Sequence, residues 1–213
     1  MRILRVGRPP GFRFEAGQYA RVGVGDGKGR KFSIASAPHD PDLEFCVEVR
    51  PGGRVTPRLF ALTPGDEVTV SDQARGSFGL DTSIRRHLMI ATVTGIAPMR
   101  SMWRDALHRD LAEEVVVLHG ASFADELAYR NELETLAADE PRIRYEPTVS
   151  RPDDPRNTGW TGHRGRVDAL ASSLAAGFDP RTTRVYAAGN AGMVRNVADS
   201  LGAMGFEVLT EAY

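Results

Sequence analysis

A single cysteine, Cys46, occurs in 213 residues. That excludes an internal disulfide, and it excludes a four-cysteine iron–sulfur cluster carried by this chain alone. Charge of one sign is also missing. The 27 Lys and Arg offset 28 Asp and Glu for a net charge of −1, and no long block of like charge interrupts the mixture. A global field for nucleic acid or an anionic membrane is therefore absent. No apolar run approaches the length of a membrane span, and Met1-Arg2-Ile3-Leu4-Arg5-Val6-Gly7 lacks the apolar core of a signal peptide. These absences point to a cytoplasmic protein with no nucleic-acid or membrane partner. Catalytic side-chain sets are sparse as well. No His-Glu-x-x-His pair and no Cys/His cluster indicates a metal, and no Gly-x-Ser-x-Gly elbow is present. His39, His87, His108, His119 and His163 are scattered, and Ser122 and Ser150 lack an obvious partner base. Side chains alone offer little covalent chemistry, so a bound cofactor is expected to supply it.

What is there falls into two rhythms. Up to about residue 80, short apolar stretches are broken by Pro9-Pro10-Gly11, Gly25-Asp26-Gly27, Pro51-Gly52-Gly53 and Pro64-Gly65-Asp66. Frequent short strands predict a small antiparallel barrel or sandwich, with one helical piece near Val55 to Leu62. Cys46 lies in one such strand, Leu43 to Val49, as a buried structural thiol. From about residue 85, strand and helix alternate. His87 to Val93 and Val115 to Leu118 are apolar enough for buried parallel strands, and Arg142 to Val149, Arg184 to Ala188 and Phe206 to Leu209 continue the series. Met99, Met102, Trp103, Ala106 and Leu107 share one helical face, as do Val167, Leu170, Ala171 and Leu174, and then Met193, Val194, Val197 and Leu201. Ser122 with Asp125 reads as a capping box opening a helix through Leu136. The alternation predicts a parallel sheet with helices on both faces.

Several segments carry candidate chemistry. Arg30-Lys31-Phe32-Ser33 puts a cation, a ring and a hydroxyl on one strand, with Arg30 and Phe32 on one face. Gly52-Gly53-Arg54-Val55-Thr56 opens a helix with a glycine pair, which presents bare N–H groups to an anion. Thr92-Val93-Thr94-Gly95-Ile96-Ala97-Pro98 joins a strand to its helix: Gly95 permits close approach and Pro98 suits the first turn. Such turns at the C-terminal edge of an open sheet are where nucleotides bind, although a plain strand–helix connection would look the same. Ala187-Ala188-Gly189-Asn190 repeats the arrangement, with Asn190 as a helix cap. Ser150 beside Arg151 suits a phosphate monoester, with Arg156 and Arg164 in the same polar loop, and a solvated arginine is the plainer alternative.

In this order and spacing the segments resemble the ferredoxin–NADP⁺ reductase family of flavoproteins, over nearly the whole length. Arg30-Lys31-Phe32-Ser33 is similar to the Arg-x-Tyr-Ser flavin motif, Gly52 to Thr56 to the flavin pyrophosphate segment, and Thr92 to Pro98 to the Gly-Thr-Gly-Ile-Ala-Pro nucleotide turn. His119-Gly120 with Glu126-Leu127-Ala128-Tyr129, Ala187-Ala188-Gly189, and the terminal Glu211-Ala212-Tyr213 match further family segments.

The resemblance implies two domains: an antiparallel β-barrel flavin-binding domain over 1–82 and an α/β parallel-sheet NAD(P)-binding domain over 83–213. It implies FAD, with FMN as the alternative, and NADPH or NADH. Arg30 would pair with flavin phosphate, Phe32 would pack on the isoalloxazine or the adjoining ribityl region, and Ser33 would hydrogen-bond near the hydride-accepting N5. Gly52, Gly53, Arg54, Val55 and Thr56 would hold the pyrophosphate. Thr94, Gly95, Ile96, Ala97 and Pro98, with Ala188, Gly189 and Asn190, would meet the pyridine nucleotide. Ser150 and Arg151 match a 2′-phosphate pair, which favours NADPH. Tyr213 would cover the flavin as a displaceable lid, and Glu211 would relay a proton. The implied activity passes electrons from NAD(P)H through flavin to ferredoxin or flavodoxin. Alternatives are a free-flavin or oxygenase-linked reductase, working with an oxygenase component, and a non-catalytic nucleotide-binding subunit. Four departures from the family pattern stand out: Phe32 for Tyr, Val93 for Gly, Ala188 for Cys, and a short N-terminus, so that the barrel is expected either to lack a strand or to borrow an edge from a partner.

Overall fold

Short strands build the first part of the chain. β1 (Arg2–Gly7), with strictly alternating burial, runs antiparallel to β4 (Asp42–Val47), which is buried along nearly its whole length, and Leu4 lies opposite Phe45. β2 (Tyr19–Gly23) lies between β3 (Arg30–Ser33) and β5 (Thr69–Val70), again antiparallel. Single bridges, Ile34 to Phe45 and Tyr19 to Arg75, extend the pairing. The computed structural model describes residues 1–25, 29–49 and 52–213. They divide into two units, Met1–Leu80 with Ala97–Asp105, and Asp81–Ile96 with Ala106–Tyr213.

In the first unit Phe12, Phe14, Ala20, Val22, Ile34, Leu43, Phe45, Val47 and Leu59 form one apolar core. Among the described residues the strands make two small antiparallel sheets around that core, and not the continuous closed ladder expected of a barrel. The reason is length. β3 has four residues and β5 two, and so short a strand offers few ladder bonds to carry the pairing round. α1 (Thr56–Phe60) is shorter than the expected Val55 to Leu62. Pro64 disfavours helical geometry at Thr63, and the Asp66 carboxylate accepts from the Thr63 N–H at 2.6 Å to form a turn instead. Turns fall as expected at Gly11 (φ +76°) and Gly65 (φ +100°). The expected turn residues Asp26, Gly27 and Pro51 lie outside the described residues.

α2 (Ile96–His108) contributes its middle to the first unit. The Arg100 guanidinium donates to the Ala35 carbonyl at 2.8 Å and lies 3.3 Å from the Glu44 carboxylate, which also takes Arg5 at 3.0 Å. Ser101 donates to the Ser36 carbonyl at 2.7 Å, and Arg104 pairs with Asp40 at 2.8 Å. Glu44 and Arg100 are both buried. Cys46 is buried too, and burial pushes its thiol up to about 12, so it stays protonated and structural.

The second unit is a six-stranded sheet. It comprises β6 (Arg86–Thr92), β7 (Glu114–Ala121), β8 (Ile143–Val149), β9 (His163–Arg164), β10 (Thr183–Gly189) and β11 (Val208–Ala212). The order is β11-β10-β6-β7-β8-β9, parallel throughout. Leu88, Ile90, Val116, Leu118, Val185 and Ala187, alternate residues of three adjacent strands, pack against α4 (Val167–Ala175) and α5 (Ala191–Ala203). Full burial of each Leu or Ile stabilises by about 1.5–3 kcal/mol. The remaining helix, α3 (Arg130–Asp139), corrects an expectation. Ser122 and Asp125 do not cap a helix running through Leu136. A 3₁₀ turn, Ala124–Glu126, forms first, with the Glu126 carboxylate on the Phe123 N–H at 3.2 Å. The Asn157 side chain takes the Ala124 N–H at 2.8 Å. Leu127 then leaves helical geometry (ψ 85°) and Tyr129 turns left-handed (φ 60°). Among the described residues no helix is long and apolar enough to cross a membrane, and no cluster of three or more His, Cys, Asp or Glu could hold a metal ion.

Candidate functional site

In the first unit β3 sets its residues by the register with β2. Arg30 lies opposite Val22 and Phe32 opposite Ala20, whereas Lys31 and Ser33 face Arg21 and Tyr19. Phe32 is half-buried against the apolar core and Ser33 is 7% exposed. Arg30 and Arg54 are exposed, and among the described residues neither pairs with a carboxylate. Gly52 has φ +74° with nothing within 4 Å of an added Cβ. α1 has no side-chain cap and no acid in its first turn, Val55 standing at the cap and Thr56 buried behind it. Two unneutralised guanidinium groups, an uncapped helix start and an open glycine turn are a donor set that fits a pyrophosphate.

In the second unit the chain reverses its direction of strand addition between β6 and β10, which is where open α/β sheets bind ligands. A 3₁₀ turn, Val93–Gly95, leaves β6 and runs into α2 through Ile96, Ala97 and Pro98. An added Cβ on Gly95 would lie 2.2 Å from the Ala188 carbonyl oxygen, so only glycine lets this turn lie against the end of β10. Gly189 has φ +124°, and its added Cβ would lie 2.3 Å from Thr92 Oγ1. The Asn190 N–H donates to that same hydroxyl at 2.8 Å. The Asn190 side chain caps α5, accepting from the N–H groups of Gly192 and Met193 at 2.9 and 3.2 Å. Glu211 sits opposite Ala188 in the β10–β11 ladder, and the Tyr213 N–H donates to the Gly189 carbonyl at 3.0 Å. The Tyr213 hydroxyl donates to Glu211 at 3.2 Å while the side chain is 46% exposed. The structure thus brings Thr94, Gly95, Ala188, Gly189, Asn190, Glu211 and Tyr213 to one edge of the sheet.

Ser150 and Arg151 stand at the end of β8, both exposed. The Ser150 N–H donates to the Ala121 carbonyl at 2.9 Å. The Arg151 guanidinium lies 5.4 Å from the Phe123 ring centre and Arg156 lies 3.6 Å from it. Asp125 holds Arg156 with both oxygens, at 2.8 and 2.9 Å, and that hydrogen bond raises the arginine above its ordinary pKa. Among the described residues no carboxylate pairs with Arg151 or Arg164. The sequence pattern does not single out Phe123, and it marks Thr92 and His119 only as members of longer segments, with no role of their own. A hydroxyl as the last residue of a buried strand, and an aromatic beside an arginine-rich loop, were the signals available. His119 is fully buried, and desolvation lowers its pKa to about 4.

Comparison with known proteins agrees with this geometry. The model of the oxidoreductase NAD-binding domain matches residues 89–199. A flavodoxin/ferredoxin–NADP reductase of Escherichia coli K12 is 33% identical over 199 residues, covering 88% of this chain and 78% of that protein. Ferredoxin–NADP reductase B of Sorangium cellulosum is 39% identical over 171 residues, covering 76% and 67%. The crystal structure of a ferredoxin NADP⁺ reductase from Neisseria gonorrhoeae with bound FAD and NADP superposes with a TM-score of 0.82 at 26% identity, covering 99% of this chain and 91% of that one. With likeness across both units, the chain belongs to the ferredoxin–NADP reductase family.

Proposed function

We propose that this oxidoreductase draws electrons from NADPH and delivers them through FAD to a ferredoxin, a flavodoxin or an oxygenase component. A bound flavin supplies the conversion from two-electron hydride uptake to single-electron delivery. Residues 1–82 are the flavin-binding domain, completed as a barrel, and 83–213 the NAD(P)-binding domain. Arg30, Arg54 and the N–H groups from Gly53 to Thr56 hold the pyrophosphate, Phe32 lies against the ring system, and the Ser33 hydroxyl serves the hydride-accepting nitrogen. Thr94, Gly95 and the stretch Ala188–Asn190 orient the nicotinamide. Tyr213 shields the reacting face and Glu211 handles a proton there. Ser150 and Arg151 take the 2′-phosphate.

One observation carries this reading: the turn after β6, the end of β10 and the residues following β11 converge on one sheet edge, tied by the Asn190–Thr92 and Tyr213–Gly189 hydrogen bonds. The test is to purify the protein with its flavin, identified after release, and to follow NADPH and NADH oxidation with ferredoxin, flavodoxin and free flavin as acceptors. NADPH-dependent reduction of a protein carrier, faster than that of free flavin, is expected. A preparation that binds no flavin, or that reduces only free flavin, overturns it.

A further inference from the structure

Val93 has φ +49°, a left-handed conformation that a β-branched side chain seldom adopts. Such a residue persists only where its surroundings hold it. Its side chain rests against the apolar cluster of Ala121, Leu127, Val149 and Trp160. Its carbonyl oxygen lies 3.1 Å from His119 Nε2, and His119 Nδ1 lies 3.3 Å from the Tyr145 hydroxyl. A carbonyl only accepts, so Nε2 carries the proton and Nδ1 presents a lone pair. The Tyr145 O–H therefore donates to Nδ1, which fixes the tautomer. The imidazole is neutral in its fully buried site. The relay from Tyr145 through His119 ends on the peptide that joins Val93 to Thr94, the first peptide of the turn Val93–Gly95.

We propose that His119 is a positioning residue for the pyridine nucleotide: its Nε2–H holds the Val93 carbonyl and thereby keeps Thr94 and Gly95 oriented toward the ligand. This rests on the assignment of that turn to NAD(P). A histidine that merely fills the core would matter equally whatever residue stands at position 93. A histidine that restrains a strained turn matters only while the strain is there.

That difference is measurable with the flavin-loaded protein, by calorimetric titration with NADP⁺ of wild type, His119→Leu, Val93→Gly and the double variant, thermal unfolding being recorded alongside. Glycine adopts φ +49° without steric cost, so in the Val93→Gly background the hold is no longer needed. His119→Leu is expected to weaken NADP⁺ binding about tenfold beside Val93 and by less than about twofold beside glycine, the non-additivity of coupled neighbours. His119→Gln keeps an N–H donor and should restore binding. Should His119→Leu fail to fold, Tyr145→Phe keeps the ring but removes the hydroxyl that sets the tautomer, and its effect should likewise disappear in Val93→Gly. Equal losses in both backgrounds, with wild type binding NADP⁺, overturn the role of His119 alone. Wild type that binds no NADP⁺ overturns the assignment of the turn as well.

Discussion

Arg151 and Arg156 rest on the same phenylalanine ring but differ in what they can still bind. Asp125 satisfies Arg156 with two hydrogen bonds, whereas Arg151 keeps its charge for an incoming anion. Losing one charge-assisted hydrogen bond removes about 1.5–3 kcal/mol, so Arg151→Ala should raise KM for NADPH about tenfold or more and leave that for NADH within about twofold. Steady-state assays with both nucleotides check this, and equal effects would remove the 2′-phosphate assignment. Arg151, Arg156 and Arg164 read alike in sequence, because the partner that separates them comes from another loop. Arg100 is a second case. It follows the turn closely in sequence and lies buried on Glu44 and the Ala35 carbonyl. Arg100→Met leaves a buried carboxylate with, among the described residues, the exposed Arg5 as its partner, and should lower stability in urea by about 3 kcal/mol.

At the level of elements, the approach of one strand–helix turn to one strand end decides the geometry. Gly95→Ala would drive a methyl group into the Ala188 carbonyl. Overpacking of this kind costs about 1–3 kcal/mol, and the turn must move to relieve it, so a lower melting temperature and weakened NADP⁺ binding are expected together. Gly202→Ala is the control: it lies in α5 with nothing within 4 Å of the added carbon, and should stabilise by about 0.5–1 kcal/mol. Most strands and helices of the second unit were legible because buried parallel strands are almost wholly apolar and helices show one apolar face; the two-residue, exposed β9 (His163–Arg164) was not, and lies in the stretch read as a polar loop. Nor was the start of α3. Asn157, 33 residues further on, takes the Ala124 N–H that a helix there would have left for capping. Closure of the first unit's sheets was likewise beyond pattern reading, since it depends on which short strands find each other across the chain and not on their own composition.

Over the whole molecule, two buried imidazoles make stability depend on mild acid. Burial lowers both His87 and His119 from 6.5 to about 4. Between those values the unfolded chain binds protons that the folded chain refuses. Stability is therefore complete above about pH 6.5 and falls as pH drops toward 4, by on the order of 3 kcal/mol for each ring. Carboxylates held below their ordinary range, such as Asp40, which overcomes its burial by accepting from the Ala37 N–H and from Arg104, lose their contribution only at lower pH. Urea midpoints measured across this window should decline, and His87→Gln should flatten the decline; a level profile in wild type would contradict it. The strand order has a consequence in time. β6 gains β7 as its neighbour early in synthesis, but its other edge waits for β10, which emerges after α3, β8, β9 and α4. Until Ala188 arrives opposite Ala91, a nascent chain carries an apolar strand with one unpaired edge. That interval, and not the finished protein, is when association with other chains threatens most.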